Sequence, residues 1–175
     1  MYKKIFIYIF FLSLLVNIGN LNAQERIAFV DINYVYNNSI IGKKINKDIK
    51  NKTNDINNEF EKNKKRFNKT KKDLLSKKNV LSKEEFEKKL NKLENDIQEY
   101  NQLILKKNKD LKNYKNKAQI QFNKNLQVIL ENFSKSNSLD MIISKQNILI
   151  GKKNLDATVN ILDLFNKEVK DIKVE

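Results

Sequence analysis

The chain has 175 residues and carries 35 Lys and Arg against 21 Asp and Glu, a net charge of +14, with no Cys, His, Pro or Trp and only three Gly. Without Cys or His there is no thiol nucleophile, no imidazole acid–base and no zinc site of the usual N/S type, and a Ser-His-Asp arrangement is impossible. Gly19, Gly42 and Gly151 are too scattered to build a phosphate-cradling loop, so the composition reads as a single domain that is not an enzyme and takes no metal or other cofactor.

From the start of the chain, Lys3 and Lys4 precede an apolar run from Ile5 to Val16, followed by Leu21-Asn22-Ala23. A basic start, a short apolar stretch and a small residue read as a secretory signal over residues 1–23, cut between Ala23 and Gln24. The apolar run is shorter than the ~20 residues that a spanning helix needs, and no Cys follows it to receive a lipid. The expectation is an exported chain without disulfides.

Arg26–Asp31 is a short, β-branched apolar run with the character of a buried strand. Leu139–Ser144 and Ile148–Ile150 read the same way, and Gly151 marks a turn. Asp156 or Thr158 is positioned to cap a last helix whose apolar positions are Val159, Leu162, Phe165 and Val169. These pieces lie at opposite ends of the chain and must meet in space. They define a body made of residues 24–42 (a strand and a short helix) and 134–175 (strands and the last helix).

Residues 43–133 carry no strand signal, and the absence of Pro permits long helices there, since Pro inside a helix costs about 3 kcal/mol. Ile41, Ile45, Ile49, Ile56, Phe60, Phe67, Leu74 and Leu81 fall at steps of four and seven, one narrow stripe along a helix. The pattern restarts as Phe86, Leu90, Leu93, Ile97, Tyr100, Ile104, Leu111, Tyr114 and Ala118, a heptad with Lys107 in its single polar slot. A four-residue phase jump leads to Phe122, Leu126, Ile129 and Phe133, a stutter that locally unwinds a supercoil. Ser82 and Glu85 form a capping box, with Leu81 and Phe86 as its staple. A second helix therefore starts there, after a turn near 76–81. The predicted fold class is α+β: a small strand-containing body with an inserted antiparallel coiled-coil hairpin, whose arms run roughly 60 and 75 Å at 1.5 Å per residue.

The charge is uneven. Lys43–Ala118 holds 24 basic and 12 acidic residues, while Gln24–Gly42 and Gln119–Glu175 together hold nine of each. Within the hairpin, Lys62, Lys64, Lys65, Arg66, Lys69, Lys71, Lys72, Lys77 and Lys78 face Asp73 alone, making the tip the candidate binding element. A bias toward Lys across the whole chain would not leave the body neutral, although exposed helix faces also tolerate Lys easily. Phe60, Phe67 and Leu74 read as packing against Leu93 and Tyr100. Phe29, Tyr34 and Tyr36 read as body packing, and Gly42 as a point of hinge-like flexibility.

A body built from both chain ends around a basic helical hairpin resembles the Skp (OmpH) family of periplasmic chaperones. The resemblance covers nearly all of the chain after the signal. It is carried by Ile27-Ala28-Phe29-Val30-Asp31, by Asn38-Ser39 and Gly42-Lys43, and by Leu139-Asp140-Met141-Ile142-Ile143. Ile148-Leu149-Ile150 and Leu155-Asp156-Ala157-Thr158 follow. Ile40 stands where many members have Pro, and the tip is richer in Lys than usual. The resemblance implies a homotrimer of "jellyfish" shape, located in the periplasm. It also implies an ATP-independent holdase whose partners are unfolded outer-membrane proteins, shielded in a cavity between arms. Other readings stay open: an envelope protein that binds lipopolysaccharide or anionic lipid through the same basic tip, or a coiled-coil spacer. Specific nucleic-acid binding is disfavoured, because the chain has an export signal and lacks an Arg cluster or aromatic–basic groove.

Overall fold

The computed structural model describes residues 26–174; the predicted signal peptide lies outside them. Among the described residues no helix is long and apolar enough to cross a membrane.

The two ends of the chain do meet. Strand β1 (Ile27–Val30) pairs in parallel with β2 (Met141–Ser144), in the register Ile27↔Met141 to Val30↔Ser144. Asp140 fixes that register from below, its carboxylate accepting from the Arg26 N–H at 2.8 Å while its own N–H donates to the Arg26 carbonyl at 2.8 Å. Ala28, Phe29 and Val30 are all buried, as a continuous apolar run covered on both faces should be. Strand β2 is only half-buried and Met141 is exposed.

The expected third strand at Ile148–Ile150 does not form. The segment follows a single 3-10 turn, and Leu149 and Ile150 stand almost fully in solvent. The edge of β1 opposite β2 is already held by Asp156 and Ala157, the latter donating its N–H to the Phe29 carbonyl at 2.9 Å.

Helix α1 (Ile32–Asn38) begins at Asp31, whose carboxylate accepts the Tyr34 N–H at 2.9 Å. Its one buried side chain is Val35, while Tyr34 points outward at 46% exposure and does not pack in the body as expected. Ser39 ends α1 and caps α2 (Ile40–Ser76): fully buried, it accepts the Gly42 N–H at 3.0 Å and donates to the Tyr36 carbonyl at 3.3 Å. Ile40, at the first position of α2, uses the N–H that Pro would lack, donating it to Asn166 Oδ1 at 2.8 Å.

Gly42 is no hinge. A Cβ there would lie 1.7 Å from the Tyr36 carbonyl oxygen, so the glycine lets α1 and α2 close tightly. Gly42→Ala is expected to cost about 2–3 kcal/mol, because backbone rather than a side-chain end must move. Thermal melts followed by circular dichroism check this; an unchanged midpoint would mean that the α1–α2 corner relaxes freely.

Helix α3 (Lys83–Ser136) passes from the hairpin into the body and supplies its centre. Phe122, with no exposed surface, meets the Tyr36 ring edge-on at 4.8 Å and the Phe165 ring at 4.6 Å. Val35, Ile41, Ile45, Leu126, Ile129 and Ile161 complete the same cluster.

The last helix, α4 (Thr158–Glu168), departs from expectation in two ways. Its cap position is Ala157, which makes no side-chain bond; Asp156, one residue earlier, accepts the Thr158 N–H at 3.0 Å, and the Thr158 hydroxyl accepts the Asp31 N–H. Its buried face is Thr158, Ile161 and Phe165, continued by Val169, whereas Val159 is exposed. Val159 lies two residues before Ile161, a rotation of about 200°, which carries it to the opposite side of the helix from the stripe that Ile161 occupies.

Candidate functional site

Helices α2 and α3 form the hairpin. At 1.5 Å per residue their 37 and 54 residues span roughly 55 and 80 Å. From Phe86 to Ala118, the buried and half-buried positions of α3 are the heptad ones and no others: Phe86, Leu90, Leu93, Ile97, Tyr100, Ile104, Lys107, Leu111, Tyr114 and Ala118. Three cross-hairpin pairs hold one antiparallel register. The Lys52 ammonium lies 5.1 Å from the Tyr114 ring centre, Glu59 pairs with Lys107, and Phe67 packs on Tyr100 with ring centres 5.6 Å apart.

The inner face of α2 is less apolar than that of α3. Thr53, Asn63 and Thr70 fall near the stripe, and each bonds back to the carbonyl four residues earlier in its own helix rather than across the hairpin. The Lys107 slot is filled by its half-buried ion pair with Glu59, a partner that the sequence pattern did not reveal. Phe60 remains 37% exposed, so it only partly fulfils the expected packing role.

The turn lies where α2 ends at Ser76, and α3 begins with a complete capping box. Glu85 N–H donates to the Ser82 hydroxyl at 3.2 Å, and the Glu85 carboxylate accepts from the Ser82 N–H. Glu84 and Glu85 in that first turn suit the positive end of the helix dipole.

Every one of the nine candidate basic residues is exposed: Lys62, Lys64, Lys65, Arg66, Lys69, Lys71 and Lys72 on the last turns of α2, and Lys77 and Lys78 in the turn. At 100° per residue they do not share one face but surround every part of α2 not turned toward α3. Two of them also contact aromatic rings: the Arg66 guanidinium lies 4.8 Å from the Phe67 ring centre and the Lys64 ammonium 5.9 Å from that of Phe60. Lys64 is within 3.7 Å of Glu61. The facing turns of α3 are close to balanced, Lys83, Lys88, Lys89 and Lys92 standing against Glu84, Glu85 and Glu87. The excess positive charge is therefore a property of one helix end and the turn.

Sequence reading missed an apolar element at the same place. Val80 is 84% exposed at the end of the turn and Leu75 is 51% exposed near the end of α2, so that the two flank Lys77 and Lys78 in the sequence. Their signal was available, since neither residue lies on the Phe67–Leu74–Leu81 stripe.

A groove of about 520 Å³ on this arm is open and lined by charges of both signs, among them Lys52, Asp55, Lys107 and Asp110. Among the described residues no group of three or more His, Cys, Asp or Glu could hold a metal ion. In the body, burial alone would raise the Asp156 carboxyl, but hydrogen bonds from Thr158 and the nearby Lys145 ammonium outweigh it and hold the group below its usual 3.8. That carboxylate is a brace for the start of α4, far from the tip. Chemically, the arm offers a dense exposed positive charge, a few solvent-facing apolar side chains and a stiff support.

Comparison with protein families matches residues 26–165 to the family described as outer membrane protein (OmpH-like). Among solved structures, a candidate outer membrane chaperone (OmpH-like) from Caulobacter crescentus CB15 superposes with a TM-score of 0.79 at 13% sequence identity, over 86% of this chain and 89% of that one. At that identity the likeness establishes the fold. A comparison with curated proteins finds no match.

Proposed function

The chain belongs to the OmpH-like outer membrane protein family, and from that premise we propose that it is an ATP-independent holdase for unfolded outer-membrane proteins in the periplasm. The observation that carries this reading is the separation of roles in one molecule. An electrically neutral body supports a long arm on which the nine cationic side chains of the tip are all exposed. Unfolded barrel strands alternate apolar and polar residues, so a carrier for them needs many weak contacts rather than a pocket. Solvated charge with scattered apolar groups supplies such contacts, and multivalency makes them effective.

In this reading the protein acts as a homotrimer. A two-stranded sheet with one free edge, and an Ile148–Ile150 segment without a partner strand, are the surfaces that neighbouring copies would cover. The client sits between the arms, and Lys62 to Lys78 provide the first electrostatic contact.

A urea-unfolded outer-membrane barrel, diluted with and without the Gln24–Glu175 chain in the absence of nucleotide, tests the proposal. Aggregation should fall sharply at a near-stoichiometric amount of trimer. Undiminished aggregation beside a folded, helical sample would remove the holdase reading.

A second reading has its own support: exposed Val80 and Leu75 set among tip lysines make the arm end amphipathic, which suits docking on an anionic membrane surface. Binding to anionic vesicles without any effect on client aggregation would favour it over the first.

A further inference from the structure

Residues 166–174 lie beyond the part of the chain that matches the family, yet they make a continuous set of contacts with the base of the arm. Asn166 accepts the Ile40 N–H at the first turn of α2 at 2.8 Å. After α4 ends at Glu168 the chain continues without regular structure, and Val169 is buried in the body core. Lys170 bonds back to the Asn166 carbonyl at 3.1 Å. Asp171 then pairs with Lys44, on the second turn of α2, at 2.9 Å. Ile172 and Val174 are half-buried against the same cluster that holds Ile41, Ile45 and Phe122. On the other side, Asp171, Ile172 and Lys173 line a hollow with Lys117, Ile120, Gln121 and Asn125 of α3.

We propose that residues 166–174 act as a strap across the root of the hairpin, holding both arm helices to the body and stiffening the root against flexure of the arm. The strap touches α2 through Asn166 and Asp171, and it approaches α3 through Ile172 and its neighbours. It therefore spans the place where the two helices leave the shared core. The Lys44–Asp171 pair is exposed on both sides, and such pairs hold weakly. The apolar anchors Val169, Ile172 and Val174 carry the strap, and the ion pair sets its position. Such a fastening can open locally without unfolding the body, because its contacts are few and near the surface.

Hydrogen exchange read by mass spectrometry on the full chain after signal removal tests this, independently of any client. A variant lacking residues 171–175 should exchange about tenfold faster at 40–49 and 117–126, with 27–30 and 141–144 unchanged. Asp171→Lys alone should accelerate exchange at the root by a smaller factor, about two- to threefold, and adding Lys44→Asp should reverse that increase. Unchanged exchange at the root in the truncated chain would overturn the proposal. So would an equal increase across both strands and the root, since that pattern belongs to general loss of stability. If the truncated chain fails to fold, the Asp171→Lys and Lys44→Asp pair decides the question: restoration supports the strap, and its absence sinks it.

Discussion

Phe122→Ala should lower the stability of the body by about 3–5 kcal/mol, the range for emptying a fully buried aromatic site. The residue sits on α3, with no exposed surface, between Tyr36 of α1 and Phe165 of α4. These three rings come from the beginning, the middle and the end of the chain, so the site cannot shrink by moving one local segment. Aromatic contacts of this geometry contribute roughly 0.5–1.5 kcal/mol each beyond the area they bury. At roughly 2–4 °C per kcal/mol for a chain of this size, the melting midpoint should drop by about 6–20 °C. Phe60→Ala is the control: the same side chain, already 37% exposed on the arm, should shift the midpoint by less than half as much. Both melts must be taken at one protein concentration, because assembly alters apparent stability. Equal shifts for the two variants would show that the three-ring contact is not the centre of the body.

The second large effect concerns binding. Converting Lys62, Lys65, Lys69, Lys71, Lys72, Lys77 and Lys78 to Glu turns the most positive part of the arm strongly negative while sparing Arg66 and Lys64, which lie near Phe67 and Phe60. Every changed residue is exposed, so the hairpin should still fold with its helicity intact. Capture of an acidic unfolded barrel at low salt is expected to weaken by about tenfold or more, chiefly through slower association. In about 0.5 M salt, where the screening length falls to a few ångströms, the two proteins should converge. Capture that is equally strong and equally salt-sensitive in both proteins would remove the tip from the mechanism and leave the apolar arm residues as the binding surface.

The arm was far more legible in the sequence than the body, for a physical reason. A coiled coil writes its contacts at intervals of three and four residues, so the buried face of α3 from Phe86 to Ala118 is readable from spacing alone. The capping box at Ser82 and Glu85 is likewise a three-residue relation. The body depends on partners more than a hundred residues apart, and no local pattern specifies that β1 and β2 run parallel in the register Ile27↔Met141. Ile148–Ile150 has the composition of a strand, but the outer edge of β1 is taken by Asp156 and Ala157, and the segment does not pair with β2 either. Gly42 looked like weakness inside a helix because the reason for it, the Tyr36 carbonyl, belongs to a different helix. Val159 was misread because the first turn of α4 starts at Thr158, and a short helix gives little periodicity from which to set its phase.

The basic run at the tip was visible as composition, and its full exposure follows from a stripe too narrow to cover it. Its spread around α2 was equally implicit in the spacing. The Glu59–Lys107 pair was half legible: Lys107 stood out as a polar residue in a heptad, but its partner could be named only once the register of the hairpin was fixed.

The inequality of the two arm helices has a mechanical consequence. The 54 residues of α3 do not stop at the root as the arm's second strut; they run on through Phe122, Leu126 and Ile129 as the spine of the body. The arm is thus a cantilever built into its foundation, not an oar in a rowlock. A load at the far end is resisted by flexure of a helix and transmitted as torque to the packed aromatic rings, whereas a loop joint would let it dissipate. Displacement should accumulate smoothly along the shaft and be greatest at Lys77 and Lys78. A pull applied at that end is then met by an elastic restoring force, which returns the arm to its resting pose once the load is gone.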